Sequence, residues 1–362
     1  MKKVLITGIL GQDGSNLAEY LLSLNEDIQV VGLTRRLSTP NYVNIKSIID
    51  NPKFKIDYID LSDSNSVDSC IKKHQPDYFV NFAANSYVGV SWSMPEQVLD
   101  VNTLGVLRCL ETIRKIKPSC RFYSAGSSEE WGNVDYSPQD IDHPIKPRSP
   151  YGASKAAARH LVKVYRESYN IYAVHGILFN HEGTKRGEEF VTRKISKGVA
   201  RILNAIKNEE NYAPIELGNL DAKRDWSDSR DFVKGVWLML NQDKPKDYIL
   251  SSGETHSIRE FVEKAFAAAG MKGHWQKRFE PQNEKFILTE ILHEDENDIP
   301  PQPKHLTLVC INPDFYRPAE VDLLLGDSTP IREELNWKPE ISFDELVKSM
   351  VNFDVNEAQK KT

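Results

Sequence analysis

The sequence predicts an α/β protein, a doubly wound parallel sheet with a smaller lobe after it, and three observations carry that expectation. Short apolar runs of β character alternate with stretches of helical spacing through the first half of the chain. A glycine triplet follows the first of those runs directly. Past Ile177-Leu178-Phe179-Asn180 the alternation loosens.

Taken in order, the first strand is Lys3-Val4-Leu5-Ile6-Thr7, and it runs into Gly8-x-x-Gly11-Gln12-Asp13-Gly14 ahead of a helical stretch, Asn16 to Leu22. Glycines in that context let backbone approach a pyrophosphate at a helix N-terminus, which makes Gly8, Gly11, Gln12, Asp13 and Gly14 candidate cofactor contacts and the sheet Rossmann-type. The second strand, Gln29 to Leu33, ends in Thr34-Arg35-Arg36. An NAD enzyme commonly carries an acidic residue there, whereas two guanidinium groups suit the 2′-phosphate of NADP; surface arginines on a loop are the bland alternative. Asp60 and Leu61 after the third strand, and Phe82-Ala83-Ala84-Asn85-Ser86 after the fourth (Tyr78 to Phe82), are expected to line the adenine and nicotinamide-ribose regions. Val98 to Ile116 reads as one helix and Cys120 to Ser124 as the fifth strand.

Residues 1–178 are thus expected to form the NADP-binding domain, completed by a segment near 225–255, with most of 179–345 forming an interleaved, smaller α/β substrate-binding lobe. Helices are expected from Thr192 to Ile206 and from Ser257 to Ala269. Lys277 to Lys304, charged, proline-bearing and aperiodic, reads as an exposed excursion.

Composition narrows the class further. The 362 residues, 40% hydrophobic and 27% charged, suit a soluble chain with a large core, and a net charge of −6 argues against nucleic acid as the main partner. Cys70, Cys109, Cys120 and Cys310 show neither a C-x-x-C pair nor metal-ligand spacing, so reduced thiols and no metal are expected. The N-terminal apolar run is too short for a signal peptide, and a cytoplasmic location away from the membrane follows as an expectation.

The chemistry concentrates in two places. Ser127, Ser128 and Glu129 follow the strand Arg121 to Ala125, at the carboxyl edge where open α/β sheets bind ligands. Tyr151 and Lys155 lie four apart on a helix introduced by Pro147-Arg148-Ser149-Pro150, so an ammonium sits on the same face as a phenol and can tune it as a base. Spacing alone is weak support, since Tyr42-x-x-x-Lys46 repeats it in a loop-like stretch. A serine hydroxyl can share a sugar hydroxyl's proton with Tyr151, and Glu129 is a second base for different work.

With Arg148 to Lys155 and Gly8 to Gly14, four later segments extend the pattern: Gly176 to Glu182, Phe190 to Ile195, Leu217 to Trp226 and Tyr316 to Val321. Together they resemble the GDP-mannose 4,6-dehydratase family, extended short-chain dehydrogenase/reductases, over nearly the whole chain. The resemblance implies that Ser127 stands for the family's catalytic threonine, Glu129 for its glutamate, and Tyr151 and Lys155 for its Tyr-Lys pair. It implies that His181 and Arg186 line the NADP site, with Ser86, Ser128, Asn180, Lys194, Leu217, Gly218, Arg224, Arg317 and Glu320 around the GDP-sugar. The implied reaction oxidises C4 of the sugar, removes the C5 proton, expels water from C6 and returns the hydride there, in a homodimer or homotetramer in which Arg36 to Tyr42 reach a neighbouring subunit. Departures from the family pattern are Ser127 for threonine, Gly126 for serine, Glu130-Trp131 for Leu-Tyr, Gln97 for tyrosine and a longer 277–304 stretch. They cluster near the sugar, so a GDP-heptose stands beside GDP-mannose as substrate. A non-dehydrating epimerase or C4 oxidoreductase, and a nucleotide-sensing scaffold, are the other readings.

Overall fold

Apolar runs that must be buried on both faces set the architecture of the computed structural model, which describes residues 1–276, 284–292, 306–315 and 323–360. The chain divides into two units: Met1–His181, Asp225–Glu254 and Leu324–Glu340 form one, and Glu182–Arg224, Thr255–Leu323 and Ile341–Thr362 the other.

In the first unit β1 (Lys2–Thr7), α1 (Gln12–Ser23), β2 (Ile28–Thr34), β3 (Phe54–Tyr58), α2 (Ser64–His74), β4 (Tyr78–Asn81), α3 (Pro95–Leu99), α4 (Gly105–Ile116), β5 (Arg121–Ala125), α5 (Pro150–Tyr169) and β6 (Ala173–Leu178) follow one another. The strand Tyr248–Leu250 adds a seventh member, and the sheet order is Tyr248–Leu250, β6, β5, β4, β1, β2, β3, every neighbour parallel. Strand order reverses between β1 and β4, the switch point at which a ligand crevice forms in such sheets. Successive residues of each strand point to opposite faces, so two cores result. Val4, Ile6, Val30 and Val80 pack with Leu17 and Leu21 of α1 and with Phe232, Val236 and Leu240 of the helix Ser229–Leu240. Leu5, Val31, Phe79 and Phe122 pack on the other face with Val67, Ile71, Leu110, Ile113 and Val162.

Val98 to Ile116 is not one regular helix. A π-helical turn over Asp100–Leu104 separates α3 from α4. Such a turn carries an extra residue within an otherwise continuous helical pattern, which apolar spacing does not reveal.

In the second unit the helix Val191–Lys207 packs along Phe343–Gln359, tied by Ser196 Oγ donating to Asp354 Oδ2 at 2.6 Å and by an Arg193–Asp354 ion pair at 2.9 Å. The helix Ile258–Ala268 starts at Ser257, whose hydroxyl accepts from Glu260 N–H at 3.1 Å. A four-stranded sheet runs in the order Met271–Gln276, Lys285–Ile291, Thr307–Ile311, Ile215–Leu217, antiparallel except for its last pair. The 277–304 stretch therefore is not wholly an exposed excursion: Lys285–Ile291 is a paired strand with Phe286, Ile287 and Leu288 buried. Its charged flanks hide a short apolar run that cross-strand pairing buries, and positions 277–283 and 293–304 lie outside the described residues. Among the described residues no helix is long and apolar enough to cross a membrane.

Candidate active site

At the β1 end the backbone has to turn sharply before α1, and Gly8 does so at φ +69°. A Cβ at Gly14 would stand 2.4 Å from Gly8 O, so the glycine also allows the turn to close on the helix. Gly11 N–H donates to Gly8 O at 2.9 Å and Gly11 caps α1 without a side chain, leaving the helix N-terminus facing the β1 edge with its first N–H groups lacking intrahelical partners. Gln12 and Asp13 are anchored: Gln12 Nε2 donates to His181 O at 3.0 Å, and Asp13 accepts from Ser229 Oγ at 3.0 Å and pairs with His181 Nε2 at 2.9 Å. His181 is thus a brace of this turn, held from its other nitrogen by Phe179 O at 2.7 Å.

Arg35 and Arg36 follow β2 and are exposed. Asp60, two residues past β3, is held ionised below the usual carboxylate range by hydrogen bonds from Ser62 at 2.7 and 2.9 Å, helped by the charges of Arg35 and Arg108. Leu61 O accepts from Arg108 at 2.9 Å. Thr7 Oγ1 accepts from Ala83 N–H at 3.0 Å and donates to Asn81 at 2.6 Å, which pins the Phe82-Ala83-Ala84 segment beside the glycine turn; Ser86 beyond it is exposed.

The chemical groups gather at the end of β5. Ser127 caps a short 3₁₀ turn, Ser128–Glu130, its hydroxyl accepting from Glu129 N–H at 3.3 Å. Ser127 and Ser128 are buried and Glu129 is partly exposed. Across from the turn, Ser149 caps α5 by accepting from Gly152 N–H at 3.0 Å, with Pro150 in the first helical position. A Cβ at Gly152 would meet Glu129 O at 2.4 Å, so the missing side chain lets the first turn of α5 press against the Glu129 peptide. Tyr151 and Lys155, one helical turn apart, are both buried; the Lys155 ammonium lies 5.8 Å from the Tyr151 ring centre and donates to Ala125 O at 2.7 Å. Burial lowers the Lys155 pKa to about 8, against the opposing pull of Glu130 and Asp13. The decoy pair differs in setting: Tyr42 and Lys46 flank a 3₁₀ turn and Lys46 is exposed.

Three features escaped sequence reasoning. Asn102, in the π turn, accepts from Asn85 N–H at 2.9 Å and donates to Ser154 Oγ at 3.1 Å, while Thr103 donates to Ser154 O at 2.8 Å, so the turn joins the β4 loop to α5. Gly152 reads as an ordinary helix glycine until its neighbour is known. Glu130, fully buried, pairs with the fully buried His175 of β6 at 2.8 Å. The available signal was His175 itself, a lone polar residue in Ala-Val-His-Gly-Ile-Leu, a strand that must be buried on both faces and so requires a partner for it.

Asn180 follows β6, and its Oδ1 is buried without a hydrogen-bond partner among the described residues. In the second unit the Lys194 ammonium sits 3.8 Å from the Phe315 ring centre, its pKa lowered by burial with Glu216 and Cys310 pulling the other way. Leu217 ends its strand, and a Cβ at Gly218 would lie 2.7 Å from Phe315 O. Arg224 is buried, its guanidinium donating to Lys223 O at 2.9 Å. Arg186 pairs with Glu182 at 3.0 Å and lies over Phe190. Arg317 and Glu320 lie outside the described residues.

Known proteins match this chain end to end. The human GDP-mannose 4,6 dehydratase is 42% identical over 97% of this chain and 91% of its own length, and the Vibrio cholerae GDP-mannose 4,6-dehydratase is 41% identical over 99% and 95%. Among solved structures, the dTDP-glucose 4,6-dehydratase of Bacillus anthracis in complex with NAD superposes with a TM-score of 0.76 at 19% identity, covering 99% of this chain and 98% of that one. RMD from Pseudomonas aeruginosa complexed with NADPH superposes with a TM-score of 0.75 at 20% identity, covering 99% and 100%; both likenesses concern the fold. With the family model for GDP-mannose 4,6 dehydratase matching residues 5–350, this chain belongs to the GDP-mannose 4,6 dehydratase family.

Proposed function

We propose that this protein is a hydro-lyase that converts GDP-mannose, or a related GDP-manno-sugar, to the GDP-4-keto-6-deoxy sugar with NADP as an internally recycled cofactor. The observation that carries the reading is the placement of Glu129, a carboxylate not needed for alcohol oxidation, at the turn where α5 brings Tyr151 and Lys155 against the end of β5. The glycine cradle and helix N-terminus at β1 fit a dinucleotide pyrophosphate, and Arg35 and Arg36 fit a 2′-phosphate. NADP held by that cradle and those arginines would supply the hydride chemistry, as acceptor for C4 and donor for C6.

The protein's own groups do the rest. Tyr151 accepts the C4 hydroxyl proton, with the Lys155 charge beside it and Ser127 hydrogen-bonded to the same oxygen. The ketone at C4 then acidifies the C5 hydrogen. Glu129 removes that proton and hands it to the C6 hydroxyl, which leaves as water; when the hydride has come back at C6, C5 takes up a proton, balanced by the one Tyr151 took from the C4 hydroxyl, so the sugar loses one water and both Tyr151 and the cofactor end as they began. Lys194 and Arg224 carry the cations that a GDP diphosphate takes, and the family resemblance assigns Asn180, Leu217, Gly218, Arg317 and Glu320 to the GDP-sugar as well.

The test is incubation with GDP-mannose and a trace of NADP⁺, followed by product mass. Loss of one water over many turnovers, without accumulating NADPH, is the expected result. Dehydration of a GDP-heptose but not of GDP-mannose would reassign the sugar, and oxidised or epimerised product of undiminished mass would reassign the reaction.

A further inference from the structure

Beneath the Ser127 turn lies a buried carboxylate–imidazole pair that the proposed chemistry does not use. Glu130 and His175 are both fully buried, and Glu130 Oε1 receives two contacts: His175 Nε2 at 2.8 Å and the Ser127 N–H at 2.9 Å. Gly126 makes room for them, because a Cβ there would stand 2.2 Å from His175 Nε2 and 2.7 Å from Glu130 Oε1. Two residues before Ser127, Ala125 O holds the Lys155 ammonium at 2.7 Å. The second atoms of the pair, Glu130 Oε2 and His175 Nδ1, are buried with no hydrogen-bond partner among the described residues.

A fully buried carboxylate is costly and is retained where its charge is compensated or put to use. We propose that Glu130, kept ionised by His175, is a positioning residue that fixes the Ser127 backbone and supplies the negative charge that keeps Lys155 an ammonium beside Tyr151. The inference rests on the reading that Ser127, Tyr151 and Lys155 act on the sugar.

The charges around the pair agree with this role. Burial pushes the Glu130 pKa up, yet the attraction and hydrogen bond of His175, the charge of Arg159 and the Ser127 N–H outweigh it, leaving the pKa below the ordinary value. Glu130 is faced by His175 from β6, by Lys155 and Arg159 from α5, and by Tyr123 from β5, whose phenol stays neutral because burial raises its pKa well above the ordinary value. Lys155 is faced by Glu130, by Asp13 of α1 and by the Tyr151 ring on its own helix. Burial lowers the Lys155 pKa, and the two carboxylates raise it. The ammonium is present below that pKa and lost above it, so removing the Glu130 charge brings the loss to lower pH.

The experiment compares kcat/KM for dehydration against pH in the wild type, in Glu130→Gln, which keeps an acceptor for Ser127 N–H but not the charge, and in His175→Gln, which leaves Glu130 buried without its partner and hence protonated. In both variants the basic limb is expected to move to lower pH by about half a unit or more. If Glu130→Gln does not fold, His175→Gln reads the same charge. A basic limb that stays in place while the variants still dehydrate the substrate overturns the proposal, and so does lost activity with an unmoved limb, which marks a purely structural pair. If the wild type yields no dehydrated product, the reading of the reaction fails instead.

Discussion

Glu129 and Glu130 are neighbours in sequence with opposite settings, one partly exposed at the turn and one sealed beneath it against His175. If Glu129 is the C5 base, Glu129→Gln should lower dehydration by about 10²- to 10⁴-fold while the first oxidation survives. Mixing the variant with GDP-mannose and NADP⁺ should then leave NADPH visible by its absorbance; unchanged dehydration would remove Glu129 from the mechanism. Arg35 belongs to the same scale. Replacing Arg35 and Arg36 together by Ser should weaken NADP⁺ relative to NAD⁺ by roughly tenfold or more, the worth of charge-assisted hydrogen bonds to a phosphate, read from KM for the two cofactors. Much of the candidate site was legible in the residues because its groups sit in short runs whose local setting is encoded nearby. Tyr151 and Lys155 carry Ser149 and Pro150 ahead of them as a cap, whereas Tyr42 and Lys46 have no such frame. The Glu130–His175 pair was not legible, since its members lie 45 positions apart and meet only through the parallel register of β5 and β6.

At the scale of the element, the contact between α5 and the Ser128–Glu130 turn decides how closely Glu129 and Tyr151 are held. Gly152→Ala would force a Cβ against the Glu129 carbonyl, which is backbone and cannot swing aside, with the Pro147 ring carbon Cβ 3.2 Å away. The variant is expected to lose about 1–3 kcal/mol of stability, seen in denaturant unfolding, together with most of its dehydratase activity. A variant of full activity would show that the helix adjusts without moving the site. The strands were legible because a parallel sheet buried on both faces leaves unbroken apolar runs, as in Tyr78–Asn81. The π turn was not, because Val98 to Ile116 keeps its apolar spacing across the extra residue. Lys285–Ile291 was missed for another reason: three apolar residues between charged flanks become a strand only when Met271–Gln276 and Thr307–Ile311 pair on either side.

Over the whole molecule, family membership and fold agree with the sequence reading, and the alternation of strands with helices was sufficient to set the sheet as far as β6. Its seventh strand came less directly, since Tyr248–Leu250 joins β6 from more than sixty residues downstream. The first unit draws on three separate stretches of chain, the last ending at Glu340. Synthesis therefore imposes an order on it. When the ribosome has released only the residues up to β6, that strand, all six of whose residues are buried in the finished protein, still waits for its outer neighbour, and the face of β1 and β4 waits for the helix Ser229–Leu240. The nascent chain must carry an open, apolar sheet edge through the making of Glu182–Arg224, the first stretch of the second unit, the interval in which such an edge is most exposed to pairing with another chain.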